Sequence, residues 1–198
     1  MAINLLNKLS IATVSTAAIS LSLLSANPAQ ADGFSDGYEV ENWTFTNNNA
    51  NGFVNTSNAP ESISLTGGNN GSGYSGSSWY TATSLADGLV SFDWSYITND
   101  VDGPTWDPFG YILNGVFTKL TSNSGGKNQF GSASFAVLAG DLFGFGVNTA
   151  DNTLGAATVT VSNFAAPQSV PEPGTIAALG LIGLGGLLTK KKLNASDN

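Results

Sequence analysis

Cysteine and histidine are both absent from this sequence. With them go thiol nucleophiles, histidine general bases, Ser/His/Asp triads and ordinary zinc or copper sites. A fold without disulfides has to be held by its core, and a body of about 135 residues is long enough for one. Charge is scarce too, at 10% of residues. Between the two ends there is no Leu-rich helical periodicity, while Gly, Asn, Ser and Thr are plentiful. That composition predicts an all-β domain rich in turns.

The charge that exists is segregated. Four of the six lysines (Lys8, Lys190, Lys191, Lys192) lie in the apolar end segments, and the stretch 32–168 holds twelve acidic residues against Lys119 and Lys127. So acidic a body excludes nucleic acid as a partner, because phosphate binding needs the opposite sign. Cations, neutral sugars and basic partners stay compatible with it.

Residues 1–31 have the order of a secretory signal peptide. Lys8 supplies the early positive charge, an apolar stretch runs from Leu9 to Leu24, and Ala29-Gln30-Ala31 is a small-residue cleavage site for signal peptidase. Asp32 would then begin the mature chain. The last thirty residues carry a second ordered set: Val170-Pro171-Glu172-Pro173, an apolar run from Ile176 to Leu188, then Lys190-Lys191-Lys192. Two prolines hold the motif extended and deny it helix hydrogen bonds. The lysines behave as a positive-inside stop that leaves the preceding domain outside the cytoplasm. As a helix, 174–189 would reach about 24 Å, short of a hydrocarbon core of about 30 Å, so snorkelling lysines or local thinning must cover the difference.

The segment Val170 to Lys192 resembles the PEP-CTERM sorting signal of exported bacterial proteins. The resemblance implies that Pro171-Glu172-Pro173 is recognised by an exosortase, a membrane protease, and that the helix holds the protein only until it is cut. It also implies association with exopolysaccharide or biofilm material. The one departure is a basic cluster made entirely of Lys, where Arg is frequent in the family. The organisation expected is therefore signal peptide (1–31), ectodomain (32–166) and sorting tail (167–198).

Within the ectodomain the dominant signal is period two between Gly, Asn and Asp turns. From Gly88 to Ile97, Val90, Phe92, Trp94 and Tyr96 point one way and Ser91, Asp93 and Ser95 the other, as in a half-buried antiparallel strand. Trp43/Phe45, Ile63/Leu65, Phe135/Val137, Phe143/Phe145/Val147 and Val159/Val161 alternate likewise. Asn114-Gly115 is the pair a type I′ hairpin turn prefers. Eight or nine such strands without helices predict an antiparallel, jelly-roll-like β-sandwich, with a barrel as the alternative. The segments Phe92–Tyr96, Trp106–Gly115 and Gly140–Phe145 are also similar to a recurring β-sandwich ectodomain of PEP-CTERM proteins, a likeness that implies no activity.

Four sets of residues are candidates for chemistry. Asp100, Asp102 and Asp107 place three hard-oxygen donors in one loop, which suits calcium, though no acidic residue stands at the late bidentate position and Pro104 and Pro108 redirect the path. The plainer reading is an Asx-rich turn. Asp151-Asn152 reads as a hairpin cap between Phe143–Val147 and Ala156–Val161, with Asp141 at the same loop end. Trp79, Tyr80 and Trp106 offer flat faces for sugar stacking or for core packing. Glu39 and Glu41 would share one face of a strand, too flat an arrangement to enclose a glycosidic bond from both sides. The segments 47–58 and 67–78 read as long surface loops. The inventory predicts a non-enzymatic envelope or matrix protein without a cofactor. The alternative is a calcium-assisted carbohydrate-binding module, and a hydrolase using Asp or Glu comes third.

Overall fold

The computed structural model describes residues 29–169. Expectations for Val170 to Pro173, Ile176 to Leu188 and Lys190 to Lys192, and for most of the leader, lie outside those residues. Among the described residues no helix is long and apolar enough to cross a membrane; the one helical element is a 3-10 turn at Val40–Asn42.

Eleven strands form two antiparallel sheets packed face to face. They are β1 (Ala29–Asp32), β2 (Thr44–Asn48), β3 (Phe53–Asn55), β4 (Ser62–Thr66), β5 (Gly76–Thr83), β6 (Gly88–Thr98), β7 (Phe109–Leu113), β8 (Val116–Lys119), β9 (Asn128–Val137), β10 (Leu142–Thr149) and β11 (Ala157–Gln168). The larger sheet runs β3-β4-β11-β6-β9, and β1 pairs with the far end of β11 in the lane that β4 occupies earlier. The smaller sheet runs β2-β5-β10-β7-β8. The all-β sandwich read from composition and alternation is therefore present, with more strands than the eight or nine expected.

Alternation decides what enters the core. In β6 the inward set is Val90, Phe92, Trp94 and Tyr96, all buried. Phe143, Phe145 and Val147 of β10 face them from the smaller sheet and are fully buried. Between the sheets sits an aromatic hub around Trp43, stacked on Tyr80 at 5.0 Å and on Phe145 at 5.4 Å, with Phe143 and Phe164 meeting it edge-on. Phe34 and Tyr38, from the segment before β2, close one end of this hub. Buried aromatics of this size supply much of a small sandwich's stabilisation.

The Asn114-Gly115 turn joins β7 to β8 as expected, with both residues at positive φ (50° and 80°), the geometry a type I′ turn needs. Three local expectations are corrected. Residues 143–147 and 156–161 do not form a hairpin: β10 belongs to the smaller sheet and β11 to the larger, so 150–156 crosses between sheets. Glu39 and Glu41 do not share a strand face, because Glu39 stands at the position just before the 3-10 turn and Glu41 lies inside it. The segments 47–58 and 67–78 are not uninterrupted loops, since they contain β3 and the start of β5.

Candidate functional site

Ala29 and Ala31 fall in β1, where Ala31 is buried and opposes Ala166 of β11. Among the described residues the sandwich extends from Ala29 to Gln168.

The acidic loop after β6 does not converge on a common point. Asp100 Oδ1 accepts the backbone N–H groups of Asp102 (2.6 Å) and Gly103 (3.2 Å), the Asx-turn arrangement. Asp102 is exposed. Among the described residues no group of three or more His, Cys, Asp or Glu side chains is placed to hold a metal ion. Asp107 is different. It is 1% exposed and its Oδ1 has no hydrogen-bond partner. Burial pushes its carboxyl up to about 7; the Thr149 and Thr98 hydroxyls oppose the rise, and the charges of Asp100 and Asp151 add to it.

The aromatic candidates separate. Tyr80 is core, stacked on Trp43, and burial raises its hydroxyl to about 12. Trp79 lies on the outer face of the smaller sheet above Gly146, its indole N–H donating to Asn148 Oδ1 at 2.9 Å. Trp106 is exposed in the acidic loop. Glu39 is fully exposed and held below the usual carboxylate range by backbone N–H groups and Asn42. Asp141 supports the β7–β8 turn, accepting from Asn114 Nδ2 and from the Leu138 N–H. Asp151 accepts the Thr153 N–H. Asn152 is buried, and its amide donates to the carbonyls of Asn49 and Tyr74, pinning the loops beside it.

The most developed surface site lies on the outer face of β6, where the alternation points Asp93 outward and assigns it no role. The outer face of the larger sheet is lined by short hydroxylated side chains, with Ser64 bonded to Thr160 and Thr66 to Thr158 across β4 and β11. At its centre Asp93 of β6 accepts from the Ser132 hydroxyl of β9 on one oxygen, and from Asn163 Nδ2 of β11 (2.7 Å) on the other. These two bonds, the serine's first, hold the carboxyl below its ordinary range against the opposing effect of burial.

A bulge makes this possible. Between Ser162 and Ala165, β11 advances three residues while β6 advances two, and Asn163 sits at φ 48°. The extra residue re-aims the Asn163 side chain across the sheet instead of along the alternation. Beside the triad, Phe130 of β9 is 86% exposed.

Three shallow depressions meet there. One of about 340 Å³ holds Asp93, Ser132 and Asn163. A second of about 320 Å³ shares Asp93 and Ser132 and adds Phe130 and Ser162. A third of about 280 Å³ shares Asn163 and adds Asp32 and Glu61. Together they make a groove across the lanes of β1/β4, β11, β6 and β9. At about 4.8 Å per lane it is roughly 14 Å long. Its chemistry is three carboxylates, of which Asp93 is fixed as an acceptor, an amide, several hydroxyls that donate or accept, and one exposed aromatic face.

One signal for this site was legible. The inward alternation of Val159 and Val161 resumes at Phe164, three positions later and not two. That break in period is the bulge.

No protein-family model matches the chain, and no curated protein matches it. Among solved structures the chain is similar to a carbohydrate-binding module studied for specific mannan recognition, with 14% identity over 72% of this chain and 96% of that one, at a TM-score of 0.41. It is also similar to a structure of carbohydrate-binding modules from the β-sandwich superfamily described as promiscuous in specificity, with 15% identity over 71% of this chain and 62% of that one, at a TM-score of 0.45. A third is the family 11 carbohydrate-binding module of a cellulosomal cellulase from Clostridium thermocellum, with 12% identity over 75% and 99% of the two chains, at a TM-score of 0.39. At these identities and scores the likenesses assign no ligand and no activity.

Proposed function

We propose that this chain is an exported, non-enzymatic glycan-binding protein that presents the groove on its larger sheet to extracellular polysaccharide. The observation that carries the reading is Asp93, fixed as an ionised acceptor by Ser132 and Asn163 beside the exposed ring of Phe130. Sugar hydroxyls donate to such a carboxylate and accept from amide and serine donors, while the apolar face of a pyranose covers an aromatic ring. A groove of about 14 Å fits a short oligosaccharide stretch better than a monosaccharide. The acidic surroundings favour neutral or cationic sugars over uronic acids.

Delivery follows from the ends of the sequence. Signal peptidase would cut after Ala31 and remove Ala29–Ala31 with the leader, so the mature chain would keep only Asp32 of β1 against β11. The tail from Val170 to Lys192 would hold the protein at the membrane until an exosortase acts at Pro171-Glu172-Pro173. An envelope or matrix location follows.

The test is a glycan array probed with the purified protein and with Asp93→Asn. Retention of a neutral or amino-sugar polysaccharide by the wild type, lost in the variant, supports the reading. An array on which nothing is retained, or on which both proteins bind alike, overturns it.

A further inference from the structure

The sheet edges of this sandwich are not treated alike. On the smaller sheet the edges are β2, with five residues, and β8, with four, the latter carrying Lys119. On the larger sheet one side ends in β3, three residues long, and β1, four. The remaining edge is β9, with ten.

Exposed edges are templates for pairing, and folded proteins blunt them by shortness, charge, proline, a bulge or a cover. Three of the edges here are short. Among the described residues β9 has none of these protections: Asn128 to Val137 contains no charged residue and no proline, and its ladder to β6 runs through ten successive partners without a register shift. Among the described residues no hydrogen bond reaches the outer backbone edge of Phe130–Val137.

We propose that β9 is a self-association edge, through which two copies of this chain pair strand to strand and merge their larger sheets into one. The charge pattern selects the occupant. The body around β9 is strongly acidic, so two copies repel one another at long range; salt screens that repulsion beyond about 8 Å, and β9 carries no charge to add to it at contact. A two-fold axis makes an antiparallel strand its own complement. With the axis through Ser132, the outward residues pair as Ser132 with Ser132, Phe130 with Ser134 and Asn128 with Ala136. No charges meet, and each exposed Phe130 lies over the small side chain of the opposite Ser134.

The pairing stands on the edge alone and does not depend on glycan binding. If the groove binds glycan, pairing has a consequence for it: the groove ends at β9 in one copy and continues into the second, so a long polymer would engage both copies with gained avidity. A seam of one strand pair is small beside interfaces of about 1,200 Å² and above, so the association is concentration-dependent.

The chain's lack of cysteine makes the test clean. Ser132→Cys in the full chain should give a disulfide-linked dimer on a non-reducing gel, while Lys119→Cys, placed on the other sheet, should not. Sedimentation of the full chain in density-matched detergent should show a dimer that Asn128→Lys with Ala136→Lys converts to monomer. Asn128→Lys with Ala136→Glu should restore it, because each lysine then faces a glutamate. Asp93→Asn should leave the dimer intact while abolishing glycan retention, which separates this inference from the glycan reading. A wild type that stays monomeric, a Lys/Lys variant that sediments like the wild type, or a Lys/Glu variant that fails to recover would each overturn it.

Discussion

Replacing Asp107 with asparagine should stabilise the protein at alkaline pH and leave it nearly unchanged in acid. The Asp107 carboxyl is buried at the base of the loop after β6, near Asp100 and Asp151, and its Oδ1 is without a partner. The only lysines in the sandwich, Lys119 and Lys127, do not figure among the groups acting on it. Folding therefore raises this group from 3.8 to about 7. Between those values the folded chain keeps a proton that the unfolded chain has released, so stability falls as pH rises through the window. Below about pH 4 both states are protonated and the contribution is complete; above about 7 both are ionised and it is gone.

At about 1.4 kcal/mol per pH unit the gap has a ceiling of about 4 kcal/mol, and local rearrangement around the charge reduces that to about 2 to 4. Against a typical total of about 5 to 15 kcal/mol this is a large fraction. Urea denaturation of wild type and Asp107→Asn at about pH 4.5 and about pH 8 measures it as a difference of differences. The comparison cancels carboxylates such as Glu39, Asp93 and Asp141, whose lowered values act with the opposite sign and at more acid pH. Two parallel pH profiles, or a variant that loses stability at pH 8, would show that Asp107 is not a buried charge in the folded chain at alkaline pH.

Trp43→Ala removes the ring on which Tyr80 and Phe145 stack and should cost about 3 to 5 kcal/mol in the same assay; a cost below about 1 would mean the hub is not the centre of the core. Asn163→Gly keeps the backbone at φ 48° accessible while removing one donor to Asp93, so the fold should survive as the Asp93 titration, followed by carboxyl NMR, moves upward. Calcium or EDTA should leave the melting temperature unchanged, because Asp100 spends Oδ1 on turn amides and Asp102 is exposed; a calcium-dependent rise would instead assign Asp107 Oδ1 as a ligand. Alanines at Pro171-Glu172-Pro173 should block processing in an exosortase-bearing host, and unchanged product size would remove the sorting assignment.

What could be read in advance was what period two encodes locally. Gly88 to Ile97 emerges as β6 with the expected inward set and one further residue, and Asn114-Gly115 turns where its preference for positive φ places it. The pairing of strands distant in sequence was not readable, because alternation states which face is apolar and says nothing of which strand lies alongside. For that reason 143–147 and 156–161, adjacent in sequence and both alternating, read as a hairpin although they lie in opposite sheets. Short strands in Gly/Asn/Ser-rich surroundings, β3 and the start of β5, carry too few apolar residues to show a period at all. The candidate site was missed for a related reason: Asp93, Ser132 and Asn163 lie on three strands, each polar position looks solvated by itself, and only the register of β6 with β9 and β11 brings them together.

Glycan binding at the Asp93 groove can be measured directly. Isothermal titration of the purified protein with the polysaccharide retained on the array, repeated with Asp93→Asn and with Asn163→Gly, measures it. Saturable binding by the wild type, lost in Asp93→Asn and weakened about tenfold or more in Asn163→Gly, is the predicted result, a charge-assisted hydrogen bond being worth about 1.5 to 3 kcal/mol. Equal affinities for all three proteins would contradict it.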